Sequence, residues 1–246
     1  MPHRNDIITY LNDYLSIHDF RDYGPQGVQV EGKENVNKIV TGVSASVQLF
    51  EEAAKVGADM VIVHHGILWD KESHVLKGGF KKRVKSLLEN DITLLAYHLP
   101  LDKHPELGNN AQAAKKLELV NVEEFGEVGV KGKITPTTIK SLEDKVHQVF
   151  QTKPLVFAFG PQEIQHIGLC SGAAEREISL AIDEGLDAYI TGEVSEPTMH
   201  LAKEGHIHFI AAGHYATERL GIRALGEHLG EKFNVDVEFI DIVNPV

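Results

Sequence analysis

The sequence predicts an α/β protein made of two related α/β halves, and three observations lead there. Short apolar runs bounded by glycine and polar residues, such as Val61-Ile62-Val63, Leu94-Leu95-Ala96-Tyr97 and Phe209-Ile210-Ala211-Ala212, read as buried strands of a mostly parallel sheet. Segments with apolar residues at offsets of three and four alternate with these runs and read as helices. The order of elements also repeats. A shift of 128 positions lays Ala53, Gly57, Asp59 and Ile62 on Ala181, Gly185, Asp187 and Ile190, which points to an internal duplication.

Taken in order, the first half opens with a helix near Asn5 to Leu15 and strands near Gly27 to Glu31 and Lys38 to Val43. A helix near Val47 to Val56 follows, with Leu49, Ala53 and Val56 on one face, then a strand Asp59 to Val63 and a helix Lys81 to Glu89. A strand Ile92 to Tyr97 leads through a turn at Leu99-Pro100-Leu101 to a helix from Asn109 to Leu117, with Asn109 as its N-cap. In the second half, Thr135-Pro136 reads as a cap followed by Pro at the first helical position. Strands near Leu155 to Phe159 and His166 to Cys170 come next, then a helix Glu175 to Glu184 and a strand Asp187 to Thr191. The chain closes with a helix Pro197 to Glu204, a strand Ile207 to Ala212, a helix Ala216 to Leu229 and a strand near Val235 to Ile240 that has no counterpart in the first half. Gly126, Gly129 and Gly132 mark a boundary, giving halves of 1–125 and 126–246, with a return of the C-terminal segment to the first half left open.

Composition narrows the function classes. No apolar run approaches the roughly 18 residues of a membrane span, and Met1-Pro2-His3-Arg4-Asn5-Asp6 lacks the apolar core of a signal peptide, so a cytoplasmic protein is expected. The only cysteine, Cys170, excludes an intrachain disulfide framework and a thiolate cage, and reads as a small buried strand residue. A net charge of −12 argues against general nucleic-acid binding. An anionic small substrate stays open, because bound metal reverses the local field.

Three strands end in metal-ligand residue types, and ligands of open parallel sheets bind beyond the carboxyl ends of strands. The first end is His64-His65-Gly66, the second is His98 with Asp102, and the third is His214 with Glu218. His, Asp and Glu together suit zinc, manganese, iron or nickel. Side chains alternate along a strand, so His64 and His65 diverge within one, but where it gives way to Gly66 each can serve a different ion of a close pair. Asp102 offers one oxygen or bridges two ions. For His98 three roles stay open: ligand, donor that orients a ligand, or structural histidine. Glu218 either bridges two ions or is a first-turn glutamate favoured by the helix dipole. Glu193, in Thr191-Gly192-Glu193 at the related strand end, is a candidate general base or substrate contact, against a capping role for the segment that includes Ser195 and Glu196. His104 reads as a solvated loop residue, and His206 and His208 as solvent-facing strand residues.

With these residues in place, the chain resembles the NGG-interacting-factor-three-like family, whose members are often labelled GTP cyclohydrolase I type 2 homologues. The motifs are Val63-His64-His65-Gly66, Tyr97-His98-Leu99-Pro100-Leu101-Asp102 with Gly108-Asn109-Asn110, Ile190-Thr191-Gly192-Glu193, and Ala212-Gly213-His214 with Thr217-Glu218. The resemblance implies two related α/β domains, a dinuclear centre of two divalent ions per chain in the cleft between them, and a toroidal homohexamer. It assigns the ligands as His64, His65, Asp102, His214 and Glu218, with Glu218 bridging and His98 close by. It further implies a metal-dependent hydrolase that opens a nucleotide ring with metal-activated water, Glu193 or His98 carrying the proton. The alternative is a metal-handling or metal-delivery protein without turnover.

Overall fold

The computed structural model describes the whole chain, Met1–Val246, as two compact units. The first comprises Met1–Leu107 and Gly221–Val243, the second Gly108–Leu220 and Asn244–Val246. This division differs from the expected 1–125 and 126–246 because the residues after 107 pair and pack within the second unit, while a late strand pairs in the first. No helix is long and apolar enough to cross a membrane.

The first unit runs α1 (Arg4–Tyr14), β1 (Gly27–Val30), β2 (Lys38–Ser44), α2 (Val47–Lys55), β3 (Met60–His65), α3 (Gly78–Glu89), β4 (Thr93–Ala96) and α4 (Leu99–Lys103). The second runs α5 (Asn109–Lys116), β5 (Val120–Phe125), β6 (Gly129–Thr137), α6 (Ile139–Phe150), β7 (Leu155–Ala158), β8 (Ile164–Leu169), α7 (Ile178–Asp183), β9 (Ala188–Thr191), α8 (Thr198–Glu204), β10 (His208–Ala211) and α9 (His214–Thr217). Last come α10 (Arg219–Phe233), which lies in the first unit from Gly221 onward, and β11 (Asp236–Phe239).

The first sheet has the order β1-β4-β3-β2-β11, parallel from β4 to β11 with β1 antiparallel at its edge. Met60, Val61, Ile62 and Val63 in β3 are fully buried, as expected of a central parallel strand covered on both faces. Ser46 caps α2 by accepting from the Leu49 amide at 3.2 Å, and Leu49, Phe50 and Ala53 turn into the core beneath it. The second sheet has the order β5-β6-β8-β9-β10-β7. Its core takes Leu142, Val146 and Phe150 from one face of α6 and Ala113 and Ala114 from α5.

The duplication is visible as repeated geometry. Strands β2, β3, β4 and β1 of the first sheet correspond in neighbour order and direction to β8, β9, β10 and β7 of the second. Asp59 accepts from the amides of Asn37 and Lys38 at 2.9 and 3.2 Å, and Asp187 accepts from those of Gln165 and His166 at 2.9 and 2.8 Å. All three pairs of positions are related by the 128-residue shift seen in the sequence. Each carboxylate fastens the entry of its unit's first core strand to the start of the next. The halves part company outside this four-strand core, where β11 extends one sheet and the β5–β6 hairpin the other.

That hairpin occupies the segment read as a boundary, and Thr135-Pro136 lies in β6 rather than opening a helix. Pro136 sits between Lys133 and Thr137, where pairing with β8 shifts register, so its missing N–H breaks no ladder bond. Thr138 caps α6 instead, accepting from the Ser141 amide at 3.3 Å. Asn109 is the first residue of α5, with Gly108 at the cap position.

Candidate metal sites

In the first unit, the segments at the carboxyl ends of β3 and β4 bring four candidate residues together. His64 is fully buried at the end of β3, and its Nδ1 donates to the Tyr97 carbonyl at 3.0 Å. That bond places the imidazole lone pair on Nε2, which lies 3.4 Å from Asp102 Oδ2. His65 Nδ1 meets Ser44 Oγ at 3.0 Å, and the rings of His64 and His65 lie 4.7 Å apart. The strand ends at His65, so the alternation that would separate the two rings no longer applies, and they stand side by side. One donor atom from each of His64, His65 and His98 falls within 4.8 Å of the others, a grouping able to hold a cation.

Asp102 reaches this group because Leu99–Lys103 is a single helical turn rather than an irregular one. Pro100 near its start supplies the helical φ, and the His98 carbonyl accepts from the Leu101 and Asp102 amides at 2.9 and 3.1 Å. Pro100 and Leu101 are buried, and the carboxylate is 4 % exposed.

His98 is oriented by a residue that sequence reasoning missed. Asp22 Oδ1 accepts a hydrogen bond from His98 Nδ1 at 2.7 Å, while Oδ2 accepts from the Leu99 amide at 2.9 Å. Burial pushes the Asp22 carboxyl up, but the His98 bond, the imidazole charge and the Tyr23 and Leu99 amides together hold it below its ordinary value. Asp22 therefore stays ionised and fixes the His98 ring, leaving Nε2 as the ring nitrogen turned away from it. Nothing in Arg21-Asp22-Tyr23 marks this aspartate in the sequence, since its partner lies 76 residues away.

In the second unit, β9 leads to Gly192-Glu193 and β10 to Gly213-His214, bringing Glu193, His214 and Glu218 together. His214 Nδ1 bonds Glu193 Oε1 at 2.6 Å, and its Nε2 lies 3.1 Å from Glu218 Oε2. Glu218 follows α9 and is 3 % exposed, so it is not a solvated first-turn residue. Burial works against charge on His214, but hydrogen bonds and charge from Glu218, then Glu193, carry its pKa up to about 9. At neutral pH an imidazolium thus compensates two carboxylates, a position a divalent cation can take over.

The backbone around these donors is tightly tied. Gly172, at φ +69°, donates to Thr217 Oγ1 at 3.0 Å and accepts from Gly192 N at 3.0 Å and Thr191 Oγ1 at 3.2 Å. A Cβ there would overlap Glu218 Oε1 and come within 3.4 Å of His214 Nε2. Asn110 holds the neighbouring Ser171 amide at 2.8 Å, which gives the Gly108-Asn109-Asn110 motif a structural task. The Ser195 segment does not supply the expected side-chain cap of α8: Pro197 takes the cap position without a side-chain bond and Thr198 Oγ1 accepts from the Ser195 amide at 3.1 Å, while Glu193 turns to His214.

The histidines read from the sequence as solvated or solvent-facing lie outside both groups. His104 is half-buried rather than solvated, its ring packed 4.6 Å from that of Tyr14. His208 is buried rather than solvent-facing, with Nδ1 accepting from the Gly160 amide and Nε2 donating to the Pro161 carbonyl. His206 is exposed as expected. Cys170 is buried, consistent with a packing role.

Comparison with known proteins agrees with the motifs. The profile of the Duf34/NIF3 (NGG1p interacting factor 3) family matches residues 2–245, and the chain belongs to that family. It is 48 % identical over 246 residues to the GTP cyclohydrolase 1 type 2 homolog of Haemophilus influenzae, with 98 % of each chain covered. The Escherichia coli K12 protein of the same name is 49 % identical over 242 residues, again covering 98 % of each. A solved structure described as protein ybgI, of unknown function, superposes with a TM-score of 0.96 at 47 % identity, covering 99 % of this chain and 100 % of that one.

Proposed function

From membership of the Duf34/NIF3 family, we propose that this chain is a metal-dependent hydrolase with a dinuclear divalent centre, acting on a nucleotide or related heterocycle. In this reading His64, His65 and Asp102 of the first unit and His214 and Glu218 of the second would hold the ions, with His98 as a further donor beside His64 and His65. The observation that carries it is the way the histidines are tethered. A structural histidine such as His208 uses both ring nitrogens on backbone groups. His64 and His214 each use Nδ1 on an orienting acceptor and turn Nε2 toward a buried carboxylate, the arrangement that suits metal ligation.

Bound divalent ions supply a water that is nucleophilic near neutral pH and a Lewis acid for the ring under attack. The chain's own residues then do the positioning. Asp22 keeps His98 in the tautomer whose Nε2 accepts a proton, and Glu193 holds His214. His98 is the proton carrier better placed for the task, since Glu193 already has His214 as its partner. The names of the curated relatives support ring opening of a guanine nucleotide, in which water oxygen bonds to the carbon between the two imidazole nitrogens and one of its C–N bonds breaks, the water's protons ending on the freed amine and the formamide nitrogen.

The test is turnover by metal-reconstituted protein against GTP, damaged nucleotides and a phosphodiester panel. Release of formate or a ring-opened product, abolished by chelation and restored by metal, is the expected result. No turnover with two ions bound overturns the reading, and fast transfer of those ions to an acceptor apoprotein would establish metal delivery instead. We also propose a cytoplasmic toroidal homohexamer, supported by the prevalence of closed symmetric assemblies and by the single cysteine. Light scattering should give a mass near six times 27.2 kDa, and a stable monomer would refute it.

A further inference from the structure

We infer that Trp69 and Tyr23 form an aromatic platform that stacks the planar ring of the substrate beside His65 and His98, an inference that rests on the heterocycle reading above. The two rings flank His98, with centroids 5.4 Å (Trp69) and 6.0 Å (Tyr23) from the imidazole, and Trp69 lies 6.1 Å from His65. Neither imidazole lies flat on the indole: His98 stands at 90° to it and His65 at 50°. Edge contacts of this kind hold an aromatic ring in place while leaving face area for another planar group.

The exposure pattern sets Tyr23 apart. Of 17 aromatic side chains only Tyr23 is exposed, at 60 %, and Trp69 is half-buried. An exposed ring beside donor histidines is the arrangement expected where a ligand completes the packing. The platform is also pre-organised. The Asp70 amide donates to the Tyr23 carbonyl at 2.9 Å, and Gly24 packs so closely under the Leu68 carbonyl that no Cβ would fit. Asp22, one residue before Tyr23, holds His98. One loop therefore sets both the His98 ring and the aromatic wall next to it, so a ring stacked there is registered against the donors rather than merely near them.

A base on an aromatic face gains affinity without reading hydrogen-bond pattern, so the platform selects planar heteroaromatic rings as a class and leaves choice among them to other groups. Phosphates alone gain nothing from it, and a phosphorylated ribose offers far less stacking area than a base. Trp69 is the only tryptophan, which makes its fluorescence a direct reporter of the site.

The experiment titrates metal-loaded protein with guanosine, GTP, ribose 5-phosphate and inorganic triphosphate, exciting at the red edge of the tryptophan band. Equilibrium dialysis then measures the same ligands on W69A, W69F and Y23A. Saturable quenching by guanosine and GTP but not by the two ring-free compounds is expected. W69A should weaken guanosine binding about tenfold or more, W69F should restore most of it, and Y23A should fall between them. Equal binding to W69A and W69F, or quenching by triphosphate as strong as by guanosine, overturns the platform while leaving the hydrolase reading intact. Absence of binding by either ring-bearing compound to well-folded protein also overturns it. Binding is read without turnover, so ring-selective quenching with no product would sustain the platform and sink the hydrolase. Y23A alters an exposed side chain and keeps the test decisive should W69A fail to fold.

Discussion

Replacing Gly172 by alanine would test whether Glu218 is a metal ligand without touching any ligand. The substitution has two separable effects. The first is strain: at φ +69° an alanine costs about 1–2 kcal/mol relative to glycine, while the backbone bonds to Thr217, Gly192 and Thr191 survive. The second is steric. The new methyl overlaps Glu218 Oε1, and relief requires the oxygen to retreat by about 1 Å. Metal–carboxylate bonds of about 2.0–2.2 Å tolerate deviations of only about 0.2 Å, so the retreat breaks the bond. Metal affinity should fall at least 10- to 100-fold, about 1.4–2.7 kcal/mol. Gly185 supplies the control, since it has nearly the same φ, +68°, and open space around the position of a Cβ. G185A should lose similar stability and keep wild-type affinity, with affinity measured by competition against a chromophoric chelator well below the melting temperature. If G172A binds metal as tightly as G185A, the steric argument and the role of Glu218 both fail.

Three further outcomes follow from the same geometry. Asp22→Asn removes the anion that fixes His98, and should weaken metal binding or turnover about 10- to 100-fold with His64 and His65 intact; an unchanged variant would demote His98 to a bystander. Asp59→Ala and Asp187→Ala each strand two backbone amides and should each cost about 2–4 kcal/mol in urea melts, Asp59 slightly more because its Lys33 partner at 2.8 Å, half-exposed, adds at most about 1 kcal/mol. Burial raises the Asp59 pKa, but Lys33 and the two amides outweigh it, so the folded value is depressed; its stabilisation is present above the unfolded pKa and is lost as pH falls through the folded one. Losses under about 0.5 kcal/mol at both positions would refute the fastening role assigned to the two carboxylates. For His214 the sign is opposite: its raised pKa of about 9 stabilises metal-free protein fully below the unfolded value of 6.5, and the contribution disappears as pH rises through 9. Metal binding should release this proton, visible as buffer-dependent calorimetric heats at pH 8 that vanish above pH 10, and heats independent of buffer at pH 8 would contradict the assignment.

How much of this was legible in the sequence depended on how locally each feature is encoded. The core strands were readable because Met60 to Val63 and Phe209 to Ala212 carry their burial in their own composition. The β5–β6 hairpin was not, because Val120 to Glu124 are all exposed and a solvated edge strand has no apolar signature. The strand-end histidines and carboxylates stood out by type and by the turns after them, and Glu193 by its place in the repeat. Asp22 and Gly172 did not, since an orienting carboxylate is defined by a partner 76 residues away and a close approach by what packs against it.

The repeat suggests why the two units could diverge at their strand ends without losing the fold. What both retain, Asp59 and Asp187 with the amides they bind, lies at the entry to β2 and β8, the opposite end of the parallel core from His64 and Gly192-Glu193. Fixing register at one end leaves the carboxyl ends free to change. There one unit carries paired histidines and the other a glycine and a glutamate bound to His214. A donor set of mixed nitrogen and carboxylate character therefore requires only side-chain substitution on a duplicated frame, with stability held by residues that take no part in it.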